Sequence, residues 1–236
     1  MKTKELKFRA SQWGDMCGSI KDKPDVVPAG AKTMLHQIWV ENNYNRRKSV
    51  VTHGLTKGIE QEEESFNLLT KVTGKLFVKN TERRSNDFWT GEPDTFEMPR
   101  KTVLWDAKCP EHIFSFHQPS DTLITKSGLL TKYGWQLMIY MDLWDVDEAK
   151  LAYTLVDMPE WILNGMLYSA TYKFKGGEDD PAYQKYAEEL TRMHQYGDIP
   201  AKDRVKIFTL FYSEEWMELA RIRAKALTDY YNKIKL

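Results

Sequence analysis

Gly91-Glu92-Pro93-Asp94, followed after a polar interval by Val103-Leu104-Trp105-Asp106-Ala107-Lys108, is the stretch on which the reading of this chain turns. Asp87-Phe88-Trp89-Thr90 runs into the Gly and Pro turn signals, and the β-rich Thr102-Val103-Leu104-Trp105 supplies a return strand, so the pattern predicts a β-hairpin. Side chains alternate across a strand, which puts Asp106 and Lys108 on one face, with Asp94 on the neighbouring segment. Two carboxylates and an amine so placed can hold a divalent cation and activate water. An isolated Asp-x-Lys on an amphipathic strand is ordinarily a surface ion pair, so its meaning depends on the rest of the chain.

Upstream, Lys75-Leu76-Phe77-Val78-Lys79 reads as a strand, and residues 54–71 read as one helix closed by Gly74. Leu55, Ile59, Phe66 and Leu69 form its apolar stripe. Glu62 falls on that stripe, three residues after Ile59 and four before Phe66, and an inward carboxylate needs a partner or a metal. Residues 31–48 read as a helix with a basic C-terminal end. The densest basic spots are Arg46-Arg47-Lys48, Glu82-Arg83-Arg84 and Pro99-Arg100-Lys101.

Downstream, residues 109–130, with Pro110, His112, His117, Pro119, Asp121 and Gly128, read as an irregular connection containing a helical turn. Residues 131–144 read as a helix apolar on most sides, interrupted by Gln136, with Tyr140 one turn away on the same face. Residues 150–156 and 205–211 read as strands, 159–174 and 180–195 as helices, and 214 onward as a helix capped by Ser213. A helix between two strands makes a βαβ-like unit and an α/β fold.

The 236 residues suit one domain, and 42% hydrophobic with 13% aromatic residues is enough for a real core. The formal net charge of zero excludes a globally basic nucleic-acid coat but not local patches. Cys17 and Cys109 form no CxxC pair, which excludes a four-thiolate zinc or iron–sulfur site. No apolar run is long enough to span a bilayer, and Met1-Lys2-Thr3-Lys4 opens no signal-like segment, so a cytoplasmic protein is expected.

Taken in order, Gly58-Ile59-Glu60-Gln61-Glu62 on a helix, Gly91-Glu92-Pro93-Asp94 on a hairpin arm, Asp106-Ala107-Lys108 on a strand and Tyr133-Gly134-Trp135-Gln136-Leu137 on the next helix closely resemble the PD-(D/E)XK nuclease superfamily. Within it they resemble the phage recombination exonucleases of the lambda-exonuclease and YqaJ type, related to RecB nuclease domains, whose Gln-x-x-x-Tyr spacing Gln136 and Tyr140 share. The resemblance runs from about residue 8 to 156. Where the family often has Glu-x-Lys, this chain has the shorter Asp106. Phe8-Arg9-Ala10-Ser11 matches only a small-residue-plus-Ser pattern near the family's N-terminus.

The resemblance implies a restriction-endonuclease-like core, a mixed central β-sheet flanked by helices. It implies one nuclease domain over residues 1–236, with the core at about 8–156 and a helical C-terminal elaboration at 157–236. It implies Mg²⁺, with Mn²⁺ able to substitute, held by Asp94, Asp106, the Ala107 carbonyl and Glu62. Lys108 would orient or deprotonate the attacking water, Gln136 would position that lysine or the water, and Tyr140 would support them. Arg9, Ser11, Arg46, Arg47, Arg83, Arg84, Lys126 and Lys132 are the expected phosphate contacts. The implied activity is Mg²⁺-dependent 5′-to-3′ exonuclease action on linear duplex DNA in phage-type recombination, with a ring-shaped homotrimer and a single-strand annealing protein as partners. The alternatives are an endonuclease or repair nuclease on the same core, and a non-catalytic DNA-binding or phage structural protein retaining the fold. Two cysteines argue against an iron–sulfur RecB-like enzyme, and the lack of GxxxxGK[ST] argues against a fused helicase.

Overall fold

A computed structural model of the chain describes residues 6–18, 20–48, 51–118 and 123–234; Pro119, Asp121 and residues 1–5 of the sequence reading lie outside them. In chain order the elements are β1 (Phe8–Arg9), α1 (Ala10–Cys17), α2 (Ala29–Tyr44), α3 (His53–Glu60), α4 (Glu62–Thr73), β2 (Phe77–Lys79), β3 (Arg84–Ser85), β4 (Trp89–Gly91), β5 (Thr95–Glu97) and β6 (Val103–Lys108). There follow α5 (Ile113–Phe116), α6 (Lys132–Trp144), β7 (Glu148–Thr154), α7 (Glu160–Thr171), α8 (Pro181–His194), β8 (Val205–Phe211) and α9 (Glu214–Tyr231). Thr131 and Ser213 cap α6 and α9 by accepting from the N–H groups of Gly134 and Trp216, and Gly74 closes α4 at φ 70°.

A mixed central sheet runs β2-β5-β6-β7-β8, antiparallel except for the parallel β6–β7 pair that α6 connects. Alternation along β6 sorts its side chains between two cores. Val103 and Trp105 pack with Phe66 and Leu69 of α4 and with Phe77, whereas Leu104 joins Leu137, Met138 and Met141 of α6. Asp106 follows Leu104 by two residues and therefore enters the α6 side. Helix α1 lies so close on α6 that a Cβ on Gly14 would stand 2.5 Å from the Lys132 Cα. In α9 the buried Arg223 donates to the carbonyls of Lys23 (2.6 Å) and Pro24 (2.9 Å), fastening the C-terminal helix to the N-terminal loop.

Several local expectations are corrected. The partner arm of β6 is β5, in register Thr95↔Trp105 and Phe96↔Leu104. The expected arm, 87–90, enters a second sheet ordered β1-β4-β3, where Trp89 pairs with Phe8. Pro93 carries no donor for a continuous ladder, and Trp89 buries its ring against Trp13 at a centroid distance of 5.6 Å, so the chain changes sheets between β4 and β5. The helix expected over 54–71 is two helices broken at Gln61 (φ −100°, ψ 15°). The break gives Glu62, Glu63 and Glu64 a fresh helix N-terminus, where the backbone dipole favours carboxylates. Leu55 and Ile59, expected in the core, are 52% and 70% exposed. Helix α2 ends at Tyr44 with Asn45 in the left-handed region, so Arg46 and Arg47 lie beyond the helix they were expected to finish. The strand expected at 205–211 is β8, so residues beyond 156 contribute to the central sheet as well as adding helices. Among the described residues no helix is long and apolar enough to cross a membrane.

Candidate active site

An open groove with a volume of about 830 Å³ lies between α3 and the end of β6. Gly54, Leu55, Gly58 and Ile59 form one wall, Ala107 through His112 the other, and Glu62, Lys79, Asp94, Ser115, Tyr133 and Tyr153 complete the lining. The exposed Leu55 and Ile59 are thus groove residues: the apolar periodicity was real, but it faces this opening.

Asp94 stands directly before β5, and its placement follows from the sheet. β5 and β6 are antiparallel neighbours, so the residue preceding β5 falls beside the end of β6, where Asp94 Oδ2 accepts from the Ala107 N–H at 2.7 Å. Asn80 holds this segment from outside: its N–H donates to the Asp94 carbonyl (2.8 Å) and its Nδ2 to the Pro93 carbonyl (3.0 Å). Asn80 escaped the sequence reading because an Asn after a strand looks like any turn residue.

Asp106 is 1% exposed. A carboxylate that deep must be bonded or paired, and both conditions are met: Gln136 Nε2 donates to Oδ1 at 2.9 Å, and Lys108 is ion-paired with Oδ2. The same Gln136 Nε2 lies 3.0 Å from the Tyr140 hydroxyl. Gln136 therefore bonds Asp106 rather than Lys108, and Tyr140 stands behind Gln136. Lys108 also lies over the Tyr133 ring at 5.3 Å, a cation–π contact the sequence did not single out. Glu62, first residue of α4, is ion-paired with Lys79.

The electrostatics follow from crowding three carboxylates. Burial, then the charge of Asp106, pushes the Asp94 carboxyl up to about 7, with Lys108 and the Ala107 N–H opposing and Glu62 adding to the rise. Burial alone would lower the Lys108 ammonium, but the charges of Asp106 and Asp94 and the bond to Asp106 outweigh it and hold the group protonated well above its ordinary range. In this state Lys108 is a cation and not a base. Burial raises Tyr140 as well, so its hydroxyl stays neutral.

The donors fit a hard divalent cation. All are oxygens, and the excess negative charge that lifts Asp94 is what such an ion would neutralise. Among the described residues no group of three or more acidic, His or Cys side chains is arranged to hold a metal ion by itself.

A second cavity, of about 490 Å³, is lined by Arg9, Ser11, Arg47, Arg83, Thr90, Gly91, Glu92 and Tyr140. It unites four of the expected phosphate contacts, with Arg83 ion-paired to Glu92 at 2.9 Å, and Tyr140 links it to the Gln136–Asp106 pair. The other four are not brought there. Arg84 pairs with Glu82 (2.7 Å) and lies over Trp144, Lys132 pairs with Asp15 (2.8 Å), and Arg46 and Lys126 are exposed outside both cavities. Gly91 is what lets Tyr140 in: a Cβ there would lie 2.7 Å from Tyr140 Cε1 and 3.2 Å from Leu143 Cδ1. Gly91→Ala is expected to destabilise the protein by about 1–3 kcal/mol through overpacking, read as a fall in Tm; an unchanged Tm would refute this packing.

The sequence matches no family model and no curated protein. Solved structures do match. Over 98% of its length the chain is similar to a phage-related exonuclease from Haemophilus somnus 129PT, covering 95% of that chain at 23% identity with a TM-score of 0.69. Over 96% it is similar to LHK-Exo, an alkaline exonuclease from Laribacter hongkongensis, covering 88% of that chain at 9% identity and TM-score 0.59. LHK-Exo in complex with dAMP gives 11% identity and TM-score 0.58 over the same shares. The chain thus has the mixed α/β fold of these exonucleases, in line with the PD-(D/E)XK resemblance of its motifs.

Proposed function

We propose that the chain is a metal-dependent deoxyribonuclease that degrades linear duplex DNA from a 5′ end, in recombination of the phage type. The observation that carries this reading is that Asp94 and Lys108 line one groove, with Asp106 buried against Lys108 beneath it and Gln136 bonded to Asp106 from behind. The exonuclease fold of the neighbours, one of them solved with a bound deoxynucleotide, supports it.

Asp94, Asp106, the Ala107 carbonyl and Glu62 would hold Mg²⁺, or Mn²⁺ in its place. The bound cation would supply charge neutralisation at the phosphoryl oxygens and a more acidic water. Lys108, held cationic, places positive charge where the scissile phosphate gains negative charge in the transition state. Gln136 fixes the Asp106 carboxylate, and Tyr140 fixes Gln136. Arg9, Ser11, Arg47 and Arg83 present a cavity to a phosphate of the same strand, a contact that orients without reading sequence. By resemblance, a homotrimer and a single-strand annealing protein complete the reading.

The test is incubation with Mg²⁺ of 5′-phosphorylated linear duplex, closed circular duplex and single-stranded DNA. Linear duplex is expected to be consumed from its ends and circles to survive. Cleavage of circles would replace the exonuclease reading with an endonuclease on the same core. Survival of every substrate in Mg²⁺ and in Mn²⁺ would leave the non-catalytic DNA-binding reading.

A further inference from the structure

Lys57 is fully buried, with 0% exposure, a rare position for a lysine. Its ammonium donates to two consecutive carbonyls, Pro110 at 2.9 Å and Glu111 at 3.2 Å, and lies over the Tyr196 ring at 5.4 Å. Those carbonyls belong to the segment that leaves β6 directly after Lys108, and Pro110, Glu111 and the following His112 line the groove. The backbone of the same residue works at the opposite wall. The Lys57 carbonyl accepts from the Gln61 N–H at 2.8 Å, the last bond of α3 before the break that precedes Glu62.

One residue therefore ties the two walls of the groove together from behind. It stands on α3 one turn before the elbow that presents Glu62, and its side chain fixes the exit of the strand that carries Asp106 and Lys108. A buried ammonium is costly, and burial pulls this one below its ordinary range. A methionine would fill a similar volume without that cost, so packing alone does not account for a lysine here. The wall it anchors is contacted further along α3, where a Cβ on Gly54 would meet Glu111 Oε2 at 3.0 Å.

We propose that Lys57 is a positioning residue that sets the separation between Glu62 and the Asp94–Asp106 pair, and through it the affinity of the groove for a divalent cation. This rests on the metal-dependent reading above. It acts through Glu62, so its effect must vanish when Glu62 no longer binds, a signature that general loss of stability does not produce.

The test titrates Mn²⁺ into the full chain and follows the paramagnetic signal of free Mn²⁺, with far-UV circular dichroism to confirm folding. The unsubstituted protein, Lys57→Met, Lys57→Gln, Glu62→Gln and the Lys57→Met/Glu62→Gln double variant are compared. Lys57→Met is expected to bind Mn²⁺ about tenfold more weakly or worse, and Lys57→Gln, which keeps a donor for one carbonyl, to fall between. The double variant is expected to bind no more weakly than Glu62→Gln. Unaltered affinity in folded Lys57→Met, or losses that multiply in the double variant, would overturn the proposal. Failure of both Lys57 variants to fold would assign the residue to stability and overturn it equally. Absence of Mn²⁺ binding by the unsubstituted protein would overturn the metal reading and this proposal together. Mn²⁺ binding without any DNA hydrolysis would remove only the nuclease reading.

Discussion

Lys108→Ala is expected to lower the rate of DNA hydrolysis about 10²–10³-fold or more, the cost of removing one preorganised charge from a transition state. Little else in the groove could supply that charge. Lys79, the other groove ammonium, is paired with Glu62, and the guanidinium groups line a separate cavity beyond Tyr140. The substitution also strands Asp106, which is 1% exposed and would keep only its bond from Gln136. A buried carboxylate without its counter-ion is costly to keep in the fold. The variant therefore loses a cation and leaves its carboxylate partner unpaired at once. Lys108→Arg is expected to restore little, because a planar fork does not replace a compact ammonium packed over Tyr133. Single-turnover hydrolysis of linear duplex, with Tm measured in parallel, separates lost chemistry from lost folding. Folded Lys108→Ala with a rate within tenfold of the parent would remove Lys108 from the site.

How much of this was legible in the sequence depends on whether the signal is local. Periodicity and caps are local, so Gly74 and Ser213 and the strands β6, β7 and β8 were readable. The order of motifs placed Asp94, Asp106, Lys108 and Gln136 on neighbouring elements before any contact was known. The partner of β6 was misread because 87–90 and 95–97 are both short and apolar. What separates them is Trp89 docking on Trp13, a contact between residues 76 positions apart, which no window contains. Leu55 and Ile59 carried true helical periodicity, but periodicity gives a face and not what the face meets. Lys57 was invisible for the converse reason: a lysine counts as polar in any pattern, and only the carbonyls of Pro110 and Glu111 explain its burial. The arginine cavity assembles from β1, the segment after α2 and the approach to β3, so the four residues that belong together could not be sorted from the four that do not.

Asp94→Asn is expected to raise the stability of the metal-free protein at pH 8 while removing its activity. Asp94 is half-buried and bonded through Oδ2 to the Ala107 N–H, an acceptor role that the side-chain carbonyl of the amide would keep. Its carboxyl is held at about 7 in the folded chain, against 3.8 as the ordinary value, first by burial and then by Asp106. The sign follows from linkage. Between those two values the unfolded chain releases the proton and the folded chain retains it, so stability contributed by the protonated carboxyl is complete below about pH 4, is lost as pH rises through about 7, and then stays level. The ionised folded state is penalised by something on the order of a few kcal/mol, reduced by solvent reaching this half-buried group. An amide does not ionise, so the variant escapes the penalty, and its advantage should grow from about pH 4 to about pH 7 and not beyond. A divalent cation relieves the same penalty by neutralising the carboxylate. Mg²⁺ should therefore raise the Tm of the parent at pH 8 far more than at pH 5, and should hardly move that of the variant. Melting curves at both pH values, with Mg²⁺ and with EDTA, give all of these comparisons in one set. A parent whose Tm at pH 8 is the same in Mg²⁺ and in EDTA, or a variant no more stable than the parent in EDTA, would mean that the strain on Asp94 is not what prepares this groove for a metal. The expected pattern would instead make the instability of the ion-free groove the physical counterpart of its affinity for the ion.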